Sequence, residues 1–405
     1  MQIPFTPLVI VLLAVVAQAL FAAGLLWLAP ANRLPNRFLA LLMLAIALWM
    51  LDGFFREANI YGQNANWYFA PIYYPFAFGP LLYFYVRSLI NHDFRFQRRH
   101  LWHFGPVLLQ AGLYWWLRLQ PYSTRLWFWE TVRQPYTYRV EFIGTWVSLT
   151  LYLGLSLRRL QQYRRWLPDN FSEVTALRLQ WLRVLLVLVA VVSAQWLLEV
   201  VLSEFGGLYY AYDYSTELLG VVVFLVGVVG LRQADMRAVR FEPELADEPL
   251  LAPLTLLAPE VLPGAAMSSQ TASAPVAALN PSATQELAAP AADAAVVARI
   301  RRALEEERLY LNPTLTLAEL SAHTGLAPRL ISFSVNNGFG QSFNDLANSY
   351  RVAEVKRRLA TPAARRLTLP GIAFESGFNS KTIFNRIFKQ FTGVAPREWQ
   401  GGVGE

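Results

Sequence analysis

Leu367–Trp399 reads LTLPGIAFESGFNSKTIFNRIFKQFTGVAPREW, and Leu315–Gly340 reads LTLAELSAHTGLAPRLISFSVNNGFG. Laid over one another, Thr316, Leu317, Leu320, Gly325 and Leu326 recur as Thr368, Leu369, Ile372, Gly377 and Phe378 at an offset of 52. After one inserted residue, Ile331, Val335 and Gly340 recur as Phe384, Phe388 and Gly393 at an offset of 53. Self-similarity at fixed spacing marks one supersecondary unit used twice. Thr316 with Glu319 forms a capping box that starts a short helix, and Leu317 and Leu320 supply its inward stripe. Gly325 ends that helix, where a left-handed backbone costs glycine little. A second helix is predicted over Pro328–Asn336, opened by a proline that needs no hydrogen-bond donor. In the second copy Thr368 caps, Gly377 turns, and Ser380 caps a helix over Lys381–Gln390. Phe343–Leu359 reads as one longer helix that holds the two helix-turn-helix units apart.

These stretches, with GQSFNDLANSYRVAEVKRRL between them, resemble the AraC/XylS-type DNA-binding domain over roughly residues 296–400. The GFNSKTIFNRIFKQFTGVAP run is the specific part. The resemblance implies that the second helix of each unit enters the major groove of double-stranded DNA, the two insertions lying about one turn (~34 Å) apart. Carried over by position, the base-facing residues are Arg329, Ser332 and Phe333 in the first unit and Lys381, Thr382, Asn385 and Arg386 in the second. Lys389 is placed for a phosphate contact. The chain departs from the family pattern at Ala327, where a Ser cap is usual, and at Phe333, where a polar or basic residue is common.

Outward from this domain the composition changes twice. Residues 241–292 hold eight Pro, fourteen Ala, six acids and no Lys or Arg. Frequent proline breaks helices, and a segment without patterned large apolar residues builds no core. Residues 241–295 are therefore expected to be a flexible acidic linker, with a root-mean-square span of ~40 Å. From Asp293 onward 15 basic residues face 10 acidic ones.

Residues 1–240 are of another kind. Twelve of the 13 Trp lie at or before Trp196, whereas the three Lys are Lys356, Lys381 and Lys389. Seven apolar runs are long enough to cross a bilayer, which takes ~20 helical residues: Pro7–Leu28, Phe38–Phe55, Trp67–Ile90, Leu101–Leu119, Val140–Leu157, Leu182–Ser203 and Tyr214–Leu231. The first carries no preceding Lys or Arg and lacks the positive region of a cleaved signal peptide. Loop Arg divide 14 against 5 between the two sides, which predicts an outside N-terminus and a cytoplasmic C-terminal domain in the inner membrane. The least regular stretch is Arg118–Arg139, whose aromatic residues suit an interfacial segment on the outer side. Ionisable groups are costly within spans and usually face the bundle interior, making Asp52 and Glu199 candidate sensor residues. His100 and His103 form an HxxH pair without a third ligand.

The expected fold is all-α: a seven-helix membrane bundle, a linker and a double helix-turn-helix. There is no Cys, which excludes thiol nucleophiles and Cys-ligated metal centres. The sequence also lacks GxSxG, HExxH, P-loop and GxGxxG signatures. A non-enzymatic regulator without cofactor or metal, responding to a small-molecule or lipid signal and with a homodimer as a possible assembly, is the leading expectation. A transporter or enzyme with a DNA-binding appendage, and a ligand-independent membrane tether for DNA, are the alternatives. Reporter fusions after Leu28, Leu119 and Arg240 should give outside-to-inside signals of cytoplasmic, periplasmic and cytoplasmic type; a periplasmic signal after Arg240 would refute this orientation.

Overall fold

The computed structural model describes residues 6–174, 177, 179–206, 220, 222, 223, 226, 239, 293–361 and 367–402. Among them no strand forms beyond one antiparallel bridge, Phe171 to Thr316, and the architecture is all-α. Contacts divide the chain into two units. One comprises Met1–Leu167 and Thr175–Glu242; the other comprises Pro168–Val174 and Pro243–Glu405.

In the first unit, α1 (Pro7–Leu28) starts at Thr6, whose hydroxyl accepts from the Val9 N–H, and has Pro7 in its first turn. It packs along α2 (Arg33–Glu57). Its other face leaves Ile10, Val11, Leu13 and Phe21 exposed. Then follow α3 (Phe78–Ile90), α4 (Gly105–Arg118), α5 (Tyr122–Phe128), a π-helical stretch (Trp129–Thr137), α6 (Tyr138–Asn170) and α7 (Gln180–Gly206). Four helices among the described residues are long and apolar enough to cross a membrane: α1, α2, the continuous run Tyr122–Asn170, and α7.

Two of the expected spans are shorter than their apolar runs. Trp67–Ile90 breaks into turns around Pro71 and Pro75, leaving a 13-residue helix, α3, buried at every position but Arg87. A helix of this length reaches ~20 Å and is apolar all round because it is enclosed. Leu101–Leu119 likewise begins as a 3-10 turn and continues as the 14-residue α4. The seventh run, Tyr214–Leu231, lies largely outside the described residues, as does the expected linker up to Ala292.

The Arg118–Arg139 stretch is helical from Tyr122 onward, and two of its Arg, Arg125 and Arg133, are buried at 4% and 8% exposure. Arg125 Nη1 donates to the Asn66 and Tyr68 carbonyls at 3.1 and 3.2 Å, and Arg118 donates to the Asn66 carbonyl at 3.0 Å. The segment at 64–70, which contains a 3-10 turn over Ala65–Trp67, supplies the acceptors.

In the second unit, Asp293 caps α8 (Ala294–Glu305), two residues earlier than the linker was expected to end. α9 (Leu317–Thr324) carries the full capping box, with Glu319 N–H to Thr316 Oγ1 at 3.1 Å and Thr316 N–H to Glu319 Oε2 at 2.9 Å. Gly325 closes it at φ +67°. α10 (Pro328–Gly338) follows, then α11 (Phe343–Leu359), α12 (Leu369–Glu375), α13 (Lys381–Thr392) and α14 (Pro396–Gly402). Ser380 stands at the start of α13 in extended conformation, but its side chain makes no capping bond, contrary to expectation.

Each helix-turn-helix has its own core. Ile300, Leu304, Leu320, Ile331 and Val335 close with Phe343 and Leu346 around the first, and Val352, Val355, Ile372, Phe378, Phe384 and Phe388 around the second. α11 feeds both, from its two ends. Between them Arg351, 1% exposed, donates Nε to the Tyr310 carbonyl at 2.8 Å and Nη2 to the Asn312 carbonyl at 2.7 Å. The remaining guanidinium N–H groups reach Ser172, at its carbonyl (3.3 Å) and its Oγ (3.0 Å), and Asn348. Asn344 Nδ2 also donates to the Ser172 carbonyl at 2.7 Å, and Ser172 N–H donates to Leu315 O at 3.0 Å. The 168–174 peptide, in which the helix ends at Asn170 and Phe171 makes the single bridge, is thus a strap of this unit.

Gly377 sits at φ +91°, and a Cβ there would lie 2.5 Å from the Tyr310 carbonyl oxygen. Gly393 is also left-handed, at φ +81°, with open space around it. Gly393→Ala should therefore cost about 1 kcal/mol through the backbone alone, and Gly377→Ala roughly 3 kcal/mol or more because backbone must move as well. Thermal melts reporting equal losses for the two would contradict this placement.

Candidate nucleic-acid interface and membrane-unit cavity

The amphipathic sequence of α13 sorts its side chains cleanly. Phe384, Ile387 and Phe388 are buried, while Lys381, Thr382, Asn385, Arg386 and Lys389 are all exposed. Spacings of one, four, five and eight residues from Lys381 put these five on one side of a helix. That face offers three cations, an amide and a hydroxyl, the donors and acceptors suited to phosphate oxygens and base edges. Its C-terminal end is closed by Gly393, whose N–H returns to the Lys389 carbonyl at 2.9 Å.

The first unit presents a different surface. On α10, Ile331, Ser334 and Val335 are buried, and Arg329, Ser332 and Phe333 lie on the adjoining face, each only half-exposed. Asn336 and Asn337 continue that face exposed; Asn336 shares a side-chain hydrogen bond with Asp169 of the strap, and Asn337 Nδ2 donates to the Phe333 carbonyl at 2.9 Å. Ala327 at the helix start makes no side-chain cap. The structure groups the first-unit and second-unit residues as two separate faces. His323, exposed on α9, pairs with Glu307.

Electrostatics stiffen the joining helix. Glu354 accepts from Arg357 (2.7 and 2.8 Å) and Arg358 (2.7 Å), and the Arg357 hydrogen bond, aided by Arg358, holds its carboxyl down to about 2. Burial pulls the Arg351 guanidinium down to about 10, which leaves it charged at neutral pH.

In the membrane unit, the two singled-out acids part company. Asp52 lines a cavity of about 210 Å³ together with Trp49, Tyr61, Tyr68, Tyr73, Trp129 and Arg133. Its carboxylate accepts from Tyr61 OH at 2.5 Å and from Arg56 Nη2 at 3.1 Å. Glu199, 5% exposed, accepts from Gln195 at 3.3 Å and is not part of that lining. The group that sequence reading missed is the buried triad Arg133, Glu141 and Tyr114. Arg133 Nη1 donates to Glu141 Oε2 at 2.8 Å and to the Tyr114 hydroxyl, and Tyr114 OH donates to Glu141 Oε1 at 2.8 Å. Five aromatic rings, of Phe69, Tyr73, Tyr114, Trp129 and Tyr138, surround the guanidinium with centroids 5.3–6.0 Å away. An eight-residue Arg–Glu spacing is no motif, although the density of aromatics around Arg133 was a visible signal.

The HxxH pair is tied into local structure: His100 Nδ1 accepts from Gln97 N–H at 3.0 Å, and His103 Nδ1 bonds Tyr152 OH at 2.7 Å. No three His, Cys, Asp or Glu side chains come together among the described residues.

A family model described as a helix-turn-helix domain matches residues 320–402. The chain is also similar to uncharacterized HTH-type transcriptional regulators of Staphylococcus aureus strains COL and MSSA476, at 27% identity over 103 residues in each case. That match takes in 25% of this chain and spans only 13% of the relatives' length. No solved structure matches. The C-terminal region is thus a helix-turn-helix domain, attached to a unit containing several helices apolar enough to cross a membrane.

Removing one partner of a buried ion pair strands the other, at about 3–5 kcal/mol. Glu141→Gln should therefore lower the melting temperature of the purified protein by many degrees, whereas Asp52→Asn, whose partner Arg56 reaches solvent, should cost under about 1 kcal/mol. The side-chain exposures are 9% and 8% for the Arg133–Glu141 pair against 41% and 20% for Arg56–Asp52. Equal losses would show that the triad is not the buried anchor.

Proposed function

We propose that this protein is a membrane-embedded, one-component transcription regulator of AraC type, with an N-terminal sensor bundle of membrane-spanning helices and a cytoplasmic C-terminal domain that binds specific double-stranded DNA. The observation that carries the DNA reading is the exposed row Lys381, Thr382, Asn385, Arg386 and Lys389 on one side of a helix whose other side is core. The matched family and the names of the relatives support the same conclusion. The sensing reading rests on the polar, aromatic-lined cavity inside the membrane unit, since buried charge among apolar spans is costly and is kept for function. The mechanism follows: a ligand bound in the bundle changes the DNA-binding activity of the attached domain, without catalysis.

Sequence reading is divided unequally between the two units. α13 offers an Arg that can read guanine and an Asn that can read adenine, whereas α10 offers Arg329, Ser332 and an apolar, half-exposed Phe333. Binding-site selection with the full chain in lipid nanodiscs tests this. Arg386→Ala should cost ~1–3 kcal/mol and relax preference at one or two base pairs, and Phe333→Ala should cost less specificity. Lys389→Ala should weaken binding to all sequences alike and flatten the salt slope by about one unit. A selection in which Phe333→Ala scrambles the motif while Arg386→Ala leaves it intact would overturn the division, and DNA affinity indifferent to salt would overturn DNA as the partner.

A further inference from the structure

We propose that the strap Pro168–Val174 is a clamp that switches specific DNA binding: docked, it holds the two helix-turn-helix units at the spacing a two-part site requires, and withdrawn, it releases them. This names the regulation for the regulator reading above and rests on it. The strap is seated as part of the C-terminal unit, with Phe171, Ser172 and Val174 all buried. It touches α9, α10 and α11 in turn. Phe171 bridges Thr316, the cap of α9, and the Ser172 N–H donates to the Leu315 carbonyl at 3.0 Å. Asn344 of α11 donates to the Phe171 and Ser172 carbonyls at 3.3 and 2.7 Å. Asp169 shares its side-chain hydrogen bond with Asn336 near the end of α10.

The effect on the second helix-turn-helix runs through Arg351. Two of its five guanidinium hydrogen bonds end on Ser172, so withdrawal of the strap leaves a buried cation short of acceptors. The same guanidinium holds the Tyr310 carbonyl against which the Gly377 turn closes. A loosened Arg351 therefore loosens the placement of α10 relative to α13. Two helices that enter the major groove about one turn (~34 Å) apart need that placement fixed before binding, because ordering them on DNA costs affinity.

What moves the strap is the helix it continues. At the start of α6, Tyr138 and Phe142 line the membrane-unit cavity and Glu141 pairs with Arg133. From there to Leu167 the helix is unbroken, ~44 Å at 1.5 Å per residue. The boundary between the two units falls between Leu167 and Pro168. Pro168 has no N–H for the Arg164 carbonyl, which weakens the helix at that point, and it ends at Asn170. A stiff helix anchored at the cavity thus leads through a weak turn into a peptide held largely by hydrogen bonds.

The chain has no Cys, so a disulfide can be placed without competitors. Phe171 and Thr316 are antiparallel bridge partners, whose usual Cα separation of ~4.5–5.5 Å suits a disulfide. In the full chain in lipid nanodiscs, the paired variant Phe171→Cys with Thr316→Cys locks the strap when oxidised and frees it when reduced, both states sharing one sequence. Fluorescence anisotropy on the site recovered by binding-site selection should give about tenfold tighter binding for the oxidised form, with binding to random duplex unchanged. Because linkage is reciprocal, adding selected-site DNA should shift the pair toward the disulfide in a glutathione buffer by the same factor. Glu141→Gln, which removes the cavity-end anchor of α6, should weaken selected-site binding in the reduced pair and leave the oxidised pair unaffected. That contrast separates transmission through the strap from a general folding defect. Failure of the disulfide to form, equal affinity of the two forms, tighter binding by the reduced form, a redox equilibrium indifferent to DNA, or an equal effect of Glu141→Gln on both forms would each overturn the proposal. A chain that binds no DNA in either form defeats the regulator reading and the clamp with it; one that binds DNA equally in both defeats the clamp alone.

Discussion

The Tyr310 carbonyl oxygen is where the C-terminal unit is held together. Arg351 donates Nε to it from the joining helix, and the Gly377 turn of the second helix-turn-helix lies so close that a Cβ would come within 2.5 Å. A loop of the first half, the helix between the halves and the turn of the second half thus converge on one acceptor. A guanidinium buried at this depth requires acceptors for its N–H groups, since an unpaired buried charge is among the costliest features a fold can carry. Tyr310, Asn312, Asn348 and Ser172 supply them. The arrangement fixes loop geometry as well as helix packing, because three of the acceptors are main-chain carbonyls of irregular segments. The relative placement of α10 and α13 depends on such a joint, whereas each hydrophobic core stabilises only its own half.

The membrane unit meets the same problem with other means. Arg133 is enclosed by a carboxylate, a phenol hydroxyl and five ring faces instead of carbonyls. The backbone around it is π-helical over Trp129–Thr137, with Pro135 inside. Such stretches cluster at functional sites because the widened turn re-aims side chains. Here the insertion is what allows Trp129, Arg133 and Tyr138 to line one cavity from one continuous run.

The parts legible in the sequence were those governed by local chemistry. Thr316 with Glu319, the glycines at 325 and 377, and Pro328 specify turns and helix starts by their own conformational preferences, and the joining helix is bounded as read, Phe343–Leu359. The residues on the exposed face of α13 are those that the family resemblance implied. What escaped depends on distant partners. Trp67–Ile90 has the composition of a span, but its helix is a short enclosed one, because hydropathy cannot separate burial in protein from burial in lipid. Charge counting places Arg125 and Arg133 on an outer side, whereas the Asn66 and Tyr68 carbonyls and Glu141 receive them within the fold. Phe171–Val174 carries no motif at all. It belongs to the second unit through hydrogen bonds made more than 170 residues away in sequence, such as Arg351 to Ser172.

The two helix-turn-helix copies have also diverged in a physically coherent way. α13 keeps a continuous polar outer face over an aromatic and aliphatic inner one. α10 begins uncapped at Ala327, buries Ser334, and turns an apolar Phe333 toward the face where its counterpart has Arg386. Its far end, at Asn336, is engaged by Asp169 of the strap, and the strap itself is bonded to Asn344 and Arg351. The strap thus touches the copy whose outer face is the more apolar. The repeated scaffold thus carries two different outer surfaces, a polar and basic one on α13 and a more apolar one on α10.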